Sequence, residues 1–253
     1  MIYLIFIFGL IMGSFYNVLG IRLPKKKSIV KPGSHCPKCE HTLSWYENIP
    51  IISYLFLLGK CKACKKQISI MYPAIELLTG ILFATSYLLF GMSENLLIAI
   101  VLVSLLVLIF ITDALYMIIL DEALIFSSIL IFVVKIIYND FMYALISVGY
   151  GIFIFGLVYL LMLLGNYLFK KESLGGGDIK LSFVAGLVLG PYLGIFYLAL
   201  ASFLAFPYAV FVSIKNEDGM LPFGPFLVTS LYLCFCNSEM IMEFLRRLIG
   251  VNG

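Results

Sequence analysis

Apolar residues run along this chain in long unbroken stretches rather than in alternation with polar ones. Eight stretches are candidates for crossing a bilayer: 1–21, 73–91, 96–112, 123–138, 141–168, 179–190, 192–214 and 221–237. Continuous runs predict helices, because the strands of a membrane barrel alternate inward and outward positions. A spanning helix needs about 20 apolar residues, so the run from Ile179 to Ile214 is too long for one ordinary span. Gly190-Pro191 marks the break, since proline cannot donate to the helix ladder. The first run lacks a basic start and a small-residue cleavage site, and so reads as a retained span rather than a cleaved signal. The pattern predicts an all-α integral membrane protein, a polytopic helical bundle of about eight spans. Its parts are a first span (1–23), a hydrophilic insertion (24–72), a bundle (73–237) and a tail (238–253).

Composition removes the soluble alternative. Of 253 residues, 62% are hydrophobic and 12% charged, with a mean hydropathy of +1.08, well outside the range of a water-soluble domain. Charge then orients the chain. Lys25, Lys26, Lys27, Lys31, Lys38, Lys60, Lys62, Lys65 and Lys66 crowd one short loop, and such loops stay in the cytoplasm. Alternation from there places the segments around Asp113–Glu122 and Lys170–Asp178 on the cytoplasmic face. The same count sends the tail outside, against Arg246 and Arg247. The conflict goes away if the tail is an amphipathic helix on the inner surface, or if the span count is off by one.

Within the insertion stand Cys36-Pro-Lys-Cys39 and Cys61-Lys-Ala-Cys64. Thiolates held in pairs by tight turns close a tetrahedral shell around zinc at about 2.3 Å, and a four-sulfur shell is structural rather than catalytic. Two disulfides are the alternative reading, which a reducing cytoplasmic location disfavours. His35 and His41 flank the first pair, as solvated loop histidines or alternate ligands. Cys234 and Cys236, inside an apolar run, read as packing residues.

Ionisable groups at the ends of spans carry the next step, because they are costly there. Asp113 follows the run Leu96–Thr112, and Asp178 closes Gly175-Gly-Gly-Asp178. Glycines before a carboxylate let the backbone approach a ligand or a neighbouring helix; alternatively, Asp178 simply caps the helix it precedes. If the bundle brings the two aspartates together, they form a site that activates water against a peptide bond with no metal and no covalent nucleophile. Lys180 is placed to tune a nearby carboxylate or to reach the interface. Glu76 reads as a buried polar partner of the site or of Arg22, while Lys135 and the pair Glu217 and Asp218 read as interfacial charges.

These residues fall in an order that resembles the type IV prepilin peptidases. The resemblance begins with Gly13-Ser-Phe-Tyr-Asn-Val18 and Arg22-Leu-Pro24, and continues through the paired cysteines with Tyr46-Glu-Asn-Ile-Pro50 between them. It then takes in Tyr72-Pro73 and Glu76, Asp113, Gly175-Gly-Gly-Asp178-Ile-Lys180, and finally Pro222-Phe-Gly-Pro225. It implies a bifunctional enzyme of the bacterial inner membrane, with its active site facing the cytoplasm. Such an enzyme cleaves the leader from type IV prepilins or pseudopilins and methylates the new N-terminus with S-adenosylmethionine. The resemblance matches Asp113 and Asp178 to the catalytic pair, with Gly175, Gly177, Lys180 and Glu76 as supporting motif positions. It gives residues 24–72, with Cys36, Cys39, Cys61 and Cys64, as the methyltransferase part, and no position for the methyl donor. Nucleic acid is not among the expected partners; prepilins and lipid are. One departure from the family pattern is Leu120 where a proline commonly precedes the second aspartate, Asp121, which keeps Asp121 as a rival to Asp113.

Two other classes of function compete. An ion-coupled transporter places its charges near the midplane and shows internal repeats, whereas these aspartates close the ends of spans and no repeat is visible. A zinc-domain scaffold would need the cysteines alone and leaves Gly175-Gly-Gly-Asp178 unexplained.

Overall fold

A computed structural model describes residues 1–170, 174–215 and 222–249; Glu217 and Asp218 lie outside the described residues. The chain forms two compact units, Met1–Met92 and Ser93–Gly253.

The first unit holds α1 (Ile2–Arg22), a 3-10 turn (Trp45–Asn48), a short α2 (Ile52–Phe56) and α3 (Met71–Phe90). Helices in lipid gain nothing from burying apolar surface against each other, so close packing through small residues drives their pairing. That is how α1 meets α3. Gly9 and Gly13 lie one turn apart on one face of α1, and a Cβ added to either would stand 2.8 Å from the Cα of Gly80 or of Glu76. Polar side chains finish the seam, with Asn17 Nδ2 donating to the Tyr72 carbonyl at 3.2 Å. The apolar faces turned away from the seam, such as Leu4, Ile11 and Leu88, are exposed, as lipid-facing residues should be.

The second unit holds α4 (Glu94–Tyr116), α5 (Asp121–Tyr138), α6 (Phe141–Phe169), α7 (Gly176–Lys215), α8 (Gly224–Cys236) and α9 (Ser238–Ile249). α4 is its centre, with Leu102, Leu105 and Ile111 wholly buried, and it packs against α5 and α8. α7 is two helices meeting at Gly190, whose φ of 72° no helix permits. The backbone reverses there. A Cβ on Gly194 would lie 3.7 Å from the Cα of Gly186, whereas eight residues of straight helix separate two Cα atoms by about 12 Å. Residues 176–189 and 191–215 are therefore the limbs of a hairpin, and both lean on Ile154 of α6 through Gly186 and Gly194. The expected break at Gly190-Pro191 stands where the sequence placed it.

Among the described residues, five helices qualify as membrane spans by length and apolarity alone: α1, α3, α4, α6 and α7, with α8 and α9 together a sixth. Three of the eight runs account for the lower count. α5 carries Asp121, Glu122 and Lys135 within 18 residues, α7 counts once although it turns back on itself, and α8 is only 13 residues long. α9 bends 84° away from α8. Its charges gather at Glu239, Glu243, Arg246 and Arg247 among Met and Leu residues, which makes it amphipathic, one of the two ways to reconcile the arginines; the lower span count bears on the other. Among the described residues there is no strand beyond two isolated bridges in the insertion.

Candidate active site and metal centre

Asp113 sits in the last turn of α4, 6% exposed, in the wholly buried surroundings of Ile111 and Thr112. Its Oδ2 is buried with no hydrogen-bond partner. Facing it is the start of α8: a Cβ on Gly224 would lie 3.0 Å from Asp113 Oδ2 and 3.0 Å from Ile119 Cδ1. Only glycine leaves that space, which gives Pro222-Phe-Gly-Pro225 a physical role beside the carboxylate. Asp178 lies in the first turn of α7, half-buried, its carboxylate turned back towards Gly175, where an added Cβ would meet Oδ2 at 3.2 Å. A third glycine contact closes the arrangement, because a Cβ on Gly177 would stand 2.7 Å from Ile119 Cβ. Ile119 thus touches the starts of both α7 and α8, packing against Gly177, the neighbour of Asp178, and against Gly224, which faces Asp113.

The capping alternative for Asp178 is met in part, since its carboxylate does fold over the N-terminus of α7, where the helix dipole favours negative charge. Asp121 stands differently. It opens α5, is about half exposed, and pairs with Lys180 at 2.6 Å. Lys180 is therefore engaged with Asp121 at the surface. Tyr197, on the second limb of α7, was not singled out by sequence. It is fully buried, its hydroxyl has no hydrogen-bond partner, and it lies within electrostatic reach of Asp178. A tyrosine inside an apolar run gives no local signal, and only the hairpin brings it back towards Asp178.

Lys135 is not interfacial. It is 5% exposed, and its Nζ donates to Ser147 Oγ of α6 at 2.9 Å and to the Leu187 carbonyl of α7 at 2.8 Å. The cause lies in the α7 hairpin. The last carbonyls of a helix have no partner within it, and Pro191 beyond the break has no N–H to offer. The lysine supplies the missing donor, as basic groups do at helix C-termini.

In the first unit the four cysteine sulfurs all lie within 4.8 Å of one another. The closest approaches run across the pairs, Cys39 to Cys61 at 3.8 Å and Cys36 to Cys64 at 4.0 Å. A disulfide needs about 2.05 Å. A tetrahedron of thiolates at about 2.3 Å from zinc has edges of about 3.8 Å, so the spacing suits a metal. The two pairs are built alike, 25 positions apart. Glu40 and Lys65 donate back to the carbonyls of Cys36 and Cys61, each with positive φ, and the bridges His35–Thr42 and Lys60–Gln67 close each turn. This is an internal repeat too short to notice by eye. The thiols are already set against one another. The Lys38 backbone N–H brings Cys36 down to about 7, and the Cys64 N–H lowers Cys61. At Cys39 the His41 N–H favours the thiolate, but burial and the neighbouring sulfurs outweigh it and carry the group up to about 11. Four thiolates need a cation among them. His35 and His41 lie outside that sulfur cluster, and Cys234 is packed in α8 with no exposure.

Two buried carboxylates tie the rest of the insertion down. Glu76 of α3 accepts from the Ile51 N–H at 2.8 Å, whereas Arg22 donates to the carbonyls of Ser28, Pro32 and Gly33. Glu76 is thus a partner of the loop between the cysteine pairs and not of Arg22. Glu47, inside the 3-10 turn, accepts from the Ser44 N–H at 2.8 Å and faces His41 Nε2 at 3.3 Å. The Ser44 N–H, then His41, hold its carboxyl below the usual range.

Comparison with known proteins agrees in extent and order. Residues 7–90 match the family model described as the bacterial peptidase A24 N-terminal domain, and residues 100–210 match the type IV leader peptidase family. The prepilin leader peptidase/N-methyltransferase of Bacillus subtilis is 38% identical over 96% of this chain and 97% of its own length. That of Vibrio cholerae is 31% identical over 90% and 94%. A type 4 prepilin-like proteins leader peptide-processing enzyme of Escherichia coli is 30% identical over 89% and 91%. No solved structure matches.

Proposed function

The chain belongs to the type IV leader peptidase family, and from that footing we propose that it is a bifunctional enzyme of the bacterial cytoplasmic membrane. It removes the leader from type IV prepilins or pseudopilins at the cytoplasmic face, and it methylates the amine so exposed with S-adenosylmethionine. The cleavage is assigned to Asp113 and Asp178. Carboxyls sharing one site hold a proton between them. The ionised member takes a proton from water, which attacks the scissile carbonyl, while the protonated member hydrogen-bonds the carbonyl oxygen and then passes its proton to the departing amine. No covalent intermediate is needed. Gly177 and Gly224 let the backbone come close enough for the two carboxyls to share a substrate. The basic lysine loop supports the cytoplasmic assignment.

The observation that carries this reading is the packing of Ile119 against Gly177, next to Asp178, and against Gly224, which faces an unpartnered carboxylate oxygen of Asp113. Cys36, Cys39, Cys61 and Cys64 would hold zinc, which would supply folding energy to an insertion with little core of its own. The test is cleavage of a purified prepilin in reconstituted membranes by Asp113→Asn and Asp178→Asn. Each is expected to lose roughly 10²–10⁴-fold in rate at undiminished abundance, and Asp121→Asn far less. Full cleavage by either of the first two sinks the assignment.

A further inference from the structure

Part of the basic insertion does not stand clear of the membrane. α3 is 20 residues long, about 30 Å, which is about the thickness of hydrocarbon a span has to cross. Glu76 lies beyond its first turn, about 7 Å along the axis from Met71. Its carboxylate nevertheless takes the Ile51 N–H at 2.8 Å. Helical side chains lean towards the N-terminus of their helix, so the start of α2 is held beside the first turns of α3 and not in the water past its end.

From that depth α2 turns apolar side chains outward. Ile52, Leu55 and Phe56, at i, i+3 and i+4, share one face of the helix, and all three are exposed, Phe56 by 86%. Trp45, 80% exposed, packs edge-on against Tyr46. Tyr46, Ile52 and Phe56 in turn line one apolar hollow of about 280 Å³. Charge lies against this face, since Lys62 Nζ donates to the Tyr46 hydroxyl at 2.6 Å, and Lys60, Lys65 and Lys66 are exposed close by in the chain. The insertion holds nine lysines against two glutamates, so even four thiolates around a zinc ion would leave it basic. A contiguous exposed apolar surface marks an interaction. Aromatic rings with lysines are the pattern of the membrane–water interface, where basic groups are drawn to anionic headgroups.

We propose that the face made by Trp45, Ile52, Leu55 and Phe56 is sunk into the headgroup boundary of the bilayer that α1 and α3 cross, with Lys60, Lys62, Lys65 and Lys66 on anionic lipid headgroups. Lipid is the occupant because the bond at Ile51 sets the depth and the lysines match the charge. The cysteine pairs flank this segment on either side, so the metal centre is held at the membrane surface rather than on a free tether above it.

Trp45 is the one tryptophan in the chain, and its fluorescence reports on this face alone. The full-length protein is placed in nanodiscs of phosphatidylglycerol and phosphatidylcholine, the latter brominated near the headgroup end of its acyl chains. Bromine is expected to lower the emission at least twofold relative to unbrominated discs, and acrylamide in the water to quench at least threefold less than it quenches a free tryptophan amide. Leu55→Glu combined with Phe56→Glu should move the emission to the red and halve the bromine quenching, with thermal midpoint and metal content as checks on folding. In discs of phosphatidylcholine alone the unaltered protein should also be quenched less, and equal quenching there would overturn the role given to the lysines. Emission untouched by bromine overturns the proposal outright: ready acrylamide quenching then puts the face in water, and poor acrylamide quenching puts protein over it. Protection that appears only when a purified prepilin is added assigns the face to substrate and overturns it equally.

Discussion

Replacing Lys135 by methionine tests the account of the α7 hairpin. Methionine keeps an unbranched apolar stem and removes the three N–H donors. Two bonds are lost, to Ser147 Oγ and to the Leu187 carbonyl, and the carbonyl then has no donor because Pro191 supplies none. Interhelical hydrogen bonds in membranes are worth about 0.6 kcal/mol on average and up to about 1.7. Bonds to a charged donor sit at the upper end, and an orphaned carbonyl adds about 1 kcal/mol or more. Against this, the variant no longer buries an ammonium. The balance is a loss of about 1–3 kcal/mol, or roughly 3–10 °C in the midpoint for a unit of this size. The assay is thermal unfolding of the purified protein in micelles, with Lys135→Arg and Ser147→Ala completing a double-mutant comparison. Arginine should retain most of the stability, and the serine variant should cost less in the methionine background than alone. A midpoint for Lys135→Met within 1 °C of the unaltered protein would refute the reasoning.

Gly224→Ala and Gly177→Ala press a methyl onto Ile119, and in the first case onto Asp113 as well. Each should cut prepilin cleavage at least tenfold while abundance changes little, and normal cleavage by both would remove Ile119 as the meeting point. Loading the cysteine cluster with zinc at pH 8 should release protons, measurable with an indicator dye, because Cys39 lies near 11 before the metal enters. The sign for Cys36 follows from its lowered value: its support for the folded insertion before metal enters is complete above the ordinary thiol range and is lost as pH falls through about 7, where a proton competes with the metal for the thiolate. Metal affinity should therefore fall steeply between pH 8 and 6, and a flat profile would exclude thiolate ligation. Chelation should open the segment between Cys36 and Cys64 to protease.

What the sequence revealed and what it concealed divide along one line. The helical runs, the hinge at Gly190-Pro191 and the paired cysteines are local patterns, and each was legible because its physics is confined to a few adjacent residues. The meeting of Asp113 with Gly224, of Lys135 with Leu187, and of Tyr197 with the reach of Asp178 depends on segments far apart in the chain. Lys135 was misread for that reason: from its own helix it is a lysine near an end, and only α6 and the broken α7 bury it.

The shortness of the first limb of α7 has a consequence for the lipid around it. Its 14 residues, 176–189, reach about 21 Å, against about 30 Å of hydrocarbon. Such a mismatch is met by a bilayer that dimples inward or by a helix end drawn beneath the headgroups. Either response shortens the path from bulk water to Asp178. A hydrolase working at a membrane must be supplied with its second reactant, and a limb this short would keep that supply close to Asp178.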